Sequence, residues 1–476
     1  MLNLLKTKMK KRVAFILVLF FFKSSVAQQS YKMTLLSHWN DTSLTHVDGD
    51  QIWSDLTGWY DSIKKREYII AGGVDSIYFF DITNPNTIKL VAVEDGKSKF
   101  AVNRDFETYL HYVYCVSQKG TPGALQIFDL QYLPDSVHKV YQAQDVTANA
   151  HTIFIEAKSK RMYACENMST TTGLSAMDII SIASPENPVL LAKLQVPSNT
   201  SGQKLFDKVH EMYSRNDTAY LSAYVGLFIF DLTNLINQKF ISSIVTYPFA
   251  GANHSSWLND DGKKILFTDE NQGLPAKIFD ISDIKNPRSE STFNSNANAL
   301  PHNAYWKKNK AIVSCYEDGV YVYDISNTKK PIAIAWYDTY PKNLSGEYHG
   351  FHGCWGVWPF LPSGNIIASD ISEGIFVLKV DSSASIDVVS ENDFISKIYP
   401  NPFADKLHIQ INKNLGTELE IEIFDIQGKV IYSKNNVGNS SELFLQIDEA
   451  ANWQSGFYTL KIFNSQQQKV FKLVKI

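Results

Sequence analysis

One short strand motif recurs seven times along this 476-residue chain and limits the folds open to it. It reads FFDIT at 79–83, IFDLQ at 127–131, AMDII at 176–180, IFDLT at 229–233, IFDIS at 278–282, VYDIS at 322–326 and VLKVD at 377–381. Successive copies lie about fifty residues apart, a period that marks a propeller or a solenoid. Aromatic residues make up 13% of the chain, as expected of a β-rich protein.

Each repeat reads as a four-stranded meander. In the fifth, residues 254–258 and 263–268 are strands joined by the tight turn NDDG, and the motif strand 277–281 follows. Asn286-Pro287 then breaks the chain before a fourth strand near 289–293. The seventh repeat leaves its motif strand at Asp381 with no fourth strand. Residues 32–39, KMTLLSHW, resemble the fourth strands at 189–194 and 332–336. Pairing of 32–39 with 375–379 closes the ring and removes its exposed edges. The expectation is an all-β chain: a seven-bladed β-propeller over 28–380, its last blade closed by the N-terminal strand. A polar linker, 381–394, and a small β-sandwich, 395–476, follow. In the sandwich Leu407/Ile409/Ile411, Leu419/Ile421/Ile423 and Leu443/Leu445/Ile447 alternate.

Residues 1–27 carry six Lys/Arg and no acid, and 13–22 form a ten-residue apolar run, too short to span a bilayer. Ser25-Val26-Ala27 supplies small residues for cleavage, so this segment reads as a secretory signal peptide. The rest of the chain holds 39 basic and 49 acidic residues, a net charge of −10, which argues against general nucleic-acid binding. No other segment is apolar enough for a transmembrane helix. Cys115, Cys165, Cys315 and Cys354 are too few for a disulfide framework and read as buried thiols or one isolated bridge.

Two resemblances add to this. YPNPF at 399–403, FDIQGKVIY at 424–432, GFYTLKI at 456–462 and KVFKLVK at 469–475 resemble the sorting domain of the Bacteroidetes type IX secretion system. That resemblance implies handling of 395–476 by the secretion machinery and a secreted or outer-surface location. LLSHWND at 35–41, REYIIAGG at 66–73, NRDF at 103–106, LQIFDL at 125–130, AHTIFI at 150–155, CYEDGVYVYDIS at 315–326 and the stretch 355–378 resemble LVIVD-repeat proteins of the choice-of-anchor B family. This second resemblance implies a propeller and a location rather than a reaction.

Five repeats open with a His followed three residues later by an aromatic: His151/Phe154, His210/Tyr213, His254/Trp257, His302/Tyr305 and His352/Trp355. Asn103 or Arg104 takes the place in the second repeat, and the first has its counterpart near Leu56, with Trp59 as the aromatic. First strands line a propeller channel, so the five His should form a belt near one mouth, with the aromatics on the opposite strand face and packed between blades. Second-strand residues Asp269 and Cys315 are expected at the same end. Imidazole, thiolate and carboxylate around a cavity suit Zn²⁺ or Cu²⁺; a repeated His equally suits bracing of neighbouring strands, or binding of an anion or substrate. No nucleophile elbow, phosphate loop, HExxH or EF-hand motif is present. Three functions follow: a surface module binding a small molecule, glycan or protein at the channel mouth, a metal-dependent oxidase or hydrolase, or a structural spacer.

Overall fold

The motif owes its two adjacent large apolar residues to sheets that are covered on both faces. In the computed structural model Ile127 packs in a core shared by the second and third repeats, while Phe128 packs in one shared by the first and second. Ile278 and Phe279 divide in the same way between the fifth–sixth and fourth–fifth cores. Strand alternation sends neighbouring side chains to opposite faces, and all four are nearly or wholly buried. Full burial of one such side chain is worth about 1.5–3 kcal/mol. The motif Asp then ends the strand, its carboxylate accepting the backbone N–H two residues on, at 2.8 Å for Asp81 and 2.7 Å for Asp324. The third repeat differs. Asp178 sits one residue into its strand, buried against Asn167 and Ser175, and the Ser181 hydroxyl makes the turn bond.

The structure describes residues 30–343, 348–381, 395–401, 403–412, 419–425, 429–434, 442–463 and 468–476. The expected signal peptide and all of the expected linker but Asp381 lie outside the described residues. Two compact units are present, Met1–Ser385 and Ile386–Ile476.

Among the described residues the first unit holds seven antiparallel sheets of four or five strands, whose first-to-fourth strand order follows the chain in repeats one to six, and a two-stranded sheet of Met168–Ser169 with Gly173–Leu174. Repeat one runs Trp53–Asp61, Arg66–Gly73, Ser76–Asp81 and Lys89–Asp95; repeat five runs Asn253–Leu258, Lys264–Asp269, Ala276–Asp280 and Arg288–Phe293. In the seventh sheet Cys354–Trp358, Ile366–Asp370 and Gly374–Val380 take Met33–Trp39 as the fourth strand, with Met33 opposite Val380 and Trp39 opposite Ile375. Ser30–Tyr31 adds a fifth strand to the sixth sheet beside Ile332–Tyr337.

First strands of successive sheets touch in chain order. Thr152 Oγ1 donates to the His210 carbonyl at 2.6 Å, and Ser255 Oγ to the His302 carbonyl at 3.1 Å. The series returns to its start: Ser369 Oγ donates to the Ser54 carbonyl at 2.7 Å, and Ile375 and Val377 share a core with Trp53 and Phe80.

The second unit holds two sheets around one core. Ile395–Tyr399, Leu407–Asn412 and Glu442–Ile447 form one; Val430–Lys434, Glu420–Phe424, Gly456–Phe463 and Gln468–Lys475 form the other. Leu407, Ile409, Ile411 and Ile447 meet Ile421, Ile423, Leu460 and Ile462 between them.

Candidate functional site

A β-bulge at the head of the first strand in repeats three to seven sets the geometry of the site. His151 and Thr152 both bond Cys165, and His302 and Asn303 both bond Ser314. His210 bonds the Ser222 carbonyl while Glu211 pairs with Ser222. In the fifth and seventh repeats the register shifts between Asn253 and Ser255 and between Cys354 and Gly356. One extra residue breaks the two-residue alternation, which is why the His and the aromatic three residues on do not take opposite faces as expected.

Two stacked layers result. His151, His210, His254 and His302 touch in order, with ring centroids 4.1, 4.2 and 4.2 Å apart. Below them Phe154, Tyr213, Trp257, Tyr305 and Trp358 touch in order at 5.3, 4.7, 4.9 and 5.8 Å. The aromatics thus contact one another as well as entering the cores between sheets.

In the seventh repeat the bulge places Trp355, not His352, at the belt position: the His302 ring lies 5.4 Å from that of Trp355, and Trp358 continues the aromatic layer. His352 sits three residues earlier, stacked on Tyr340 and 3.9 Å from Asp50, apart from the other four. In the second repeat Val102 lines the same cavity, and Asn103, one step on, bonds the His151 carbonyl. Arg104 is buried elsewhere, its guanidinium on the Gly73, Val74 and Ser98 carbonyls. In the first repeat the irregularity lies between Trp53 and Leu56, and Trp59 bonds the Leu110 carbonyl at the far end of the strand.

The carboxylate that joins the belt is Glu270, adjacent to the expected Asp269. Its Oε1 lies 3.5 Å from His302 Nε2 and its Oε2 3.7 Å from His254 Nε2. Asp269 is engaged elsewhere. Fully buried, it pairs with Lys277 at 2.8 Å and accepts from Tyr247 and the Gly251 backbone. Cys315 also lies outside the site, in a core with Val313 and Tyr323, where burial pushes its thiol well up. All four cysteines are free and buried.

Tyr316 Oη donates to Glu270 Oε1 at 2.6 Å, and at the matching position of the fourth repeat Tyr224 donates to Glu166. His302 Nδ1 bonds the Trp355 carbonyl at 2.8 Å, and His151 Nδ1 bonds Gln118 Oε1 at 2.6 Å.

Burial fixes the charge state. It lowers the imidazole of His151 to about 4 and that of His302 to about 3, and it lowers His210 and His254 strongly, with their His neighbours adding to the effect. Near neutral pH the belt is uncharged and presents nitrogen lone pairs, a poor anion receptor and a good metal donor set. Burial also raises Glu270 to about 7, against the Tyr316 hydrogen bond. At Glu166 burial is outweighed by Lys208, 2.7 Å away, and Tyr224, and the carboxyl falls below its usual range.

The four His and Trp355 line a cavity of about 1090 Å³, with Glu270, Glu166, Tyr316 and Phe351 on its wall and Lys119 and Lys208 among its polar residues. A second cavity of about 30 Å³ lies among the aromatics and holds Asp55, Asp105, Glu107 and Glu211. Burial raises all four carboxyls, Asp55 to about 6 and Glu107 to about 8. No Lys or Arg among the described residues forms an ion pair with any of them. The repeat pattern did not single out these acids, or Glu270 and Glu166. Only their position marks them in the sequence: Asp55, Asp105, Glu107 and Glu211 fall in first strands, and Glu166 and Glu270 follow second strands.

Residues 397–476 match the model of the secretion system C-terminal sorting domain. This chain is therefore a secreted or cell-surface protein of Bacteroidetes whose tail is handled by the type IX secretion system. No curated protein matches it. Among solved structures it is similar to PorZ, described as an essential bacterial surface component of the type-IX secretion system of Porphyromonas gingivalis, at 12% identity and a TM-score of 0.45. The match covers 91% of this chain and 61% of that one, so the chain spans about three fifths of that structure's length. No helix among the described residues is long and apolar enough to cross a membrane.

Proposed function

We propose that this protein is an exported binding module: a closed seven-bladed β-propeller of LVIVD-repeat type with a ligand site in the histidine-floored cavity. Seven antiparallel sheets, the fourth strand supplied to the last by Met33–Trp39, and contacts that run from the seventh sheet back to the first support the propeller. Residues 1–27 act as the signal peptide, 381–394 as the linker, and 395–476 as the removable sorting domain.

The observation that carries the binding role is the cavity of about 1090 Å³, which joins aromatic faces to convergent amide, carboxylate, imidazole and ammonium groups. That mixture suits a polar small molecule or glycan with a face that stacks on Trp355 or Phe351. Thermal-shift measurements of the full chain against a panel of glycans and polar metabolites test this, with a Phe351→Ala/Trp355→Ala variant alongside. The expected result is stabilisation by a subset of the panel that disappears in the variant. Stabilisation that persists in the variant, or none from any compound, overturns the reading.

A further inference from the structure

We propose that His254, Glu270 and His302 form a binding site for a divalent transition-metal ion, Zn²⁺ by donor type, in the floor of the cavity. The inference deepens the binding reading and rests on it for access of the ion. One nitrogen from each His and one oxygen of Glu270 lie within 4.8 Å of one another. The Glu270 oxygens are 3.5 and 3.7 Å from the two Nε2 atoms. Donors each about 2.0–2.1 Å from a tetrahedral Zn²⁺ are about 3.3–3.4 Å apart. Each of these two carboxylate–imidazole distances, one from either oxygen of Glu270, is within a few tenths of an ångström of that separation.

The outer contacts already aim the donors. A carbonyl only accepts, so the 2.8 Å contact to Trp355 puts the proton of His302 on Nδ1 and leaves the Nε2 lone pair toward Glu270. Tyr316 holds Glu270 Oε1 at 2.6 Å. Such partners fix tautomer and orientation around bound metals. His254, 2% exposed, makes no hydrogen bond through Nδ1 among the described residues, and Glu211 Oε2 lies 3.9 Å from that atom. Glu211 with His210 and His254 makes a second compact set, but Glu211 lines the small lower cavity and not the large one. Three protein donors leave one position of a four-coordinate ion available from the cavity, the arrangement of sites that engage an external ligand.

The test is a titration of the chelator-stripped full chain with Co²⁺, read by its d–d absorption, and with Zn²⁺, read by elemental analysis and competition. The expected stoichiometry is about one ion per chain with an intense four-coordinate Co²⁺ spectrum. Glu270→Gln, close in shape, should lose that spectrum and weaken Zn²⁺ binding by at least about 100-fold, and Tyr316→Phe should weaken it about 10–100-fold. Circular dichroism and melting confirm that each variant is folded. Absence of stoichiometric uptake by the wild-type protein, or uptake unaffected by Glu270→Gln, overturns the site. A chain that takes up no Co²⁺ but is still stabilised by a panel compound sinks the metal site alone. A chain that binds one Co²⁺ and no panel compound sinks only the organic-ligand reading.

Discussion

Replacing Glu107 by Gln should remove a stability loss that the wild-type protein shows in mild base. Burial, aided by the Asp55 charge and opposed by the Thr108 N–H, lifts the Glu107 carboxyl from 4.5 to about 8. A carboxyl raised in the folded state keeps its proton where the unfolded chain has lost it, so folding stability falls as pH rises through this interval. One pH unit of difference is worth about 1.4 kcal/mol. From pH 7 to pH 9 the slope is nearly full up to about 8 and then flattens, which sums to roughly one unit, or about 1.4 kcal/mol. The His groups of the belt, still partly protonated in the unfolded chain near pH 7, are common to the two proteins and cancel in the difference. Glu270 and Asp370, both near 7, are common to the two proteins and cancel in the difference. Urea unfolding followed by tryptophan fluorescence reports the first unit, which carries eight of the nine Trp. The stability of wild type minus that of Glu107→Gln should fall by about 1.4 kcal/mol between pH 7 and 9. A difference that stays flat across those two units would show the carboxylate already ionised in the folded state, and the account of burial raising Glu107 would be wrong.

Lys277→Met should cost about 3–5 kcal/mol in denaturant unfolding, because it leaves the wholly buried Asp269 carboxylate without its cation. Gly356→Ala should destabilise by about 1–3 kcal/mol, since a Cβ there meets Asp55 Oδ1 at 2.1 Å; an unchanged midpoint would mean the two strands separate more easily than their packing implies. Deleting residues 30–39 should leave the edge of Gly374–Val380 unpaired and give aggregated protein on size-exclusion chromatography. Removing residues 395–476 should leave a folded first unit that fractionates with the periplasm of the native host; normal levels in the medium would contradict its sorting role.

The periodic features were legible in the sequence. The recurrence of the motif marked the repeated four-stranded sheets, and the missing strand of the seventh repeat pointed to residues 32–39, which pair there. Asp178 misled because AMDII matches the motif three residues out of register: Ser181 takes the place of the motif Asp and makes the turn bond. The belt was legible at His151, His210, His254 and His302 but not in the seventh repeat. His352 and Trp355 copy the sequence pattern, yet the bulge between Cys354 and Gly356 makes Trp355 the counterpart of His254. A bulge is a one-residue irregularity of pairing and leaves no mark in composition. Glu270 escaped for a related reason. It follows the end of its strand, and the carboxylate facing the belt is chosen by which neighbour finds a lysine: Lys277 claims Asp269 and leaves Glu270 to the cavity.

The pairing of Met33–Trp39 also orders events in time. Within its unit this strand is among the first to leave the ribosome, and its partner is among the last to do so. Thr34 bonds Asp381 across 347 residues. Contacts of such long range form late, because closing the intervening loop costs chain entropy before any contact repays it. Until Gly374–Val380 emerges, the seventh sheet cannot be completed, whatever the earlier repeats have done. A unit built this way completes its fold only after all of its chain has been made, whatever order its other sheets form in.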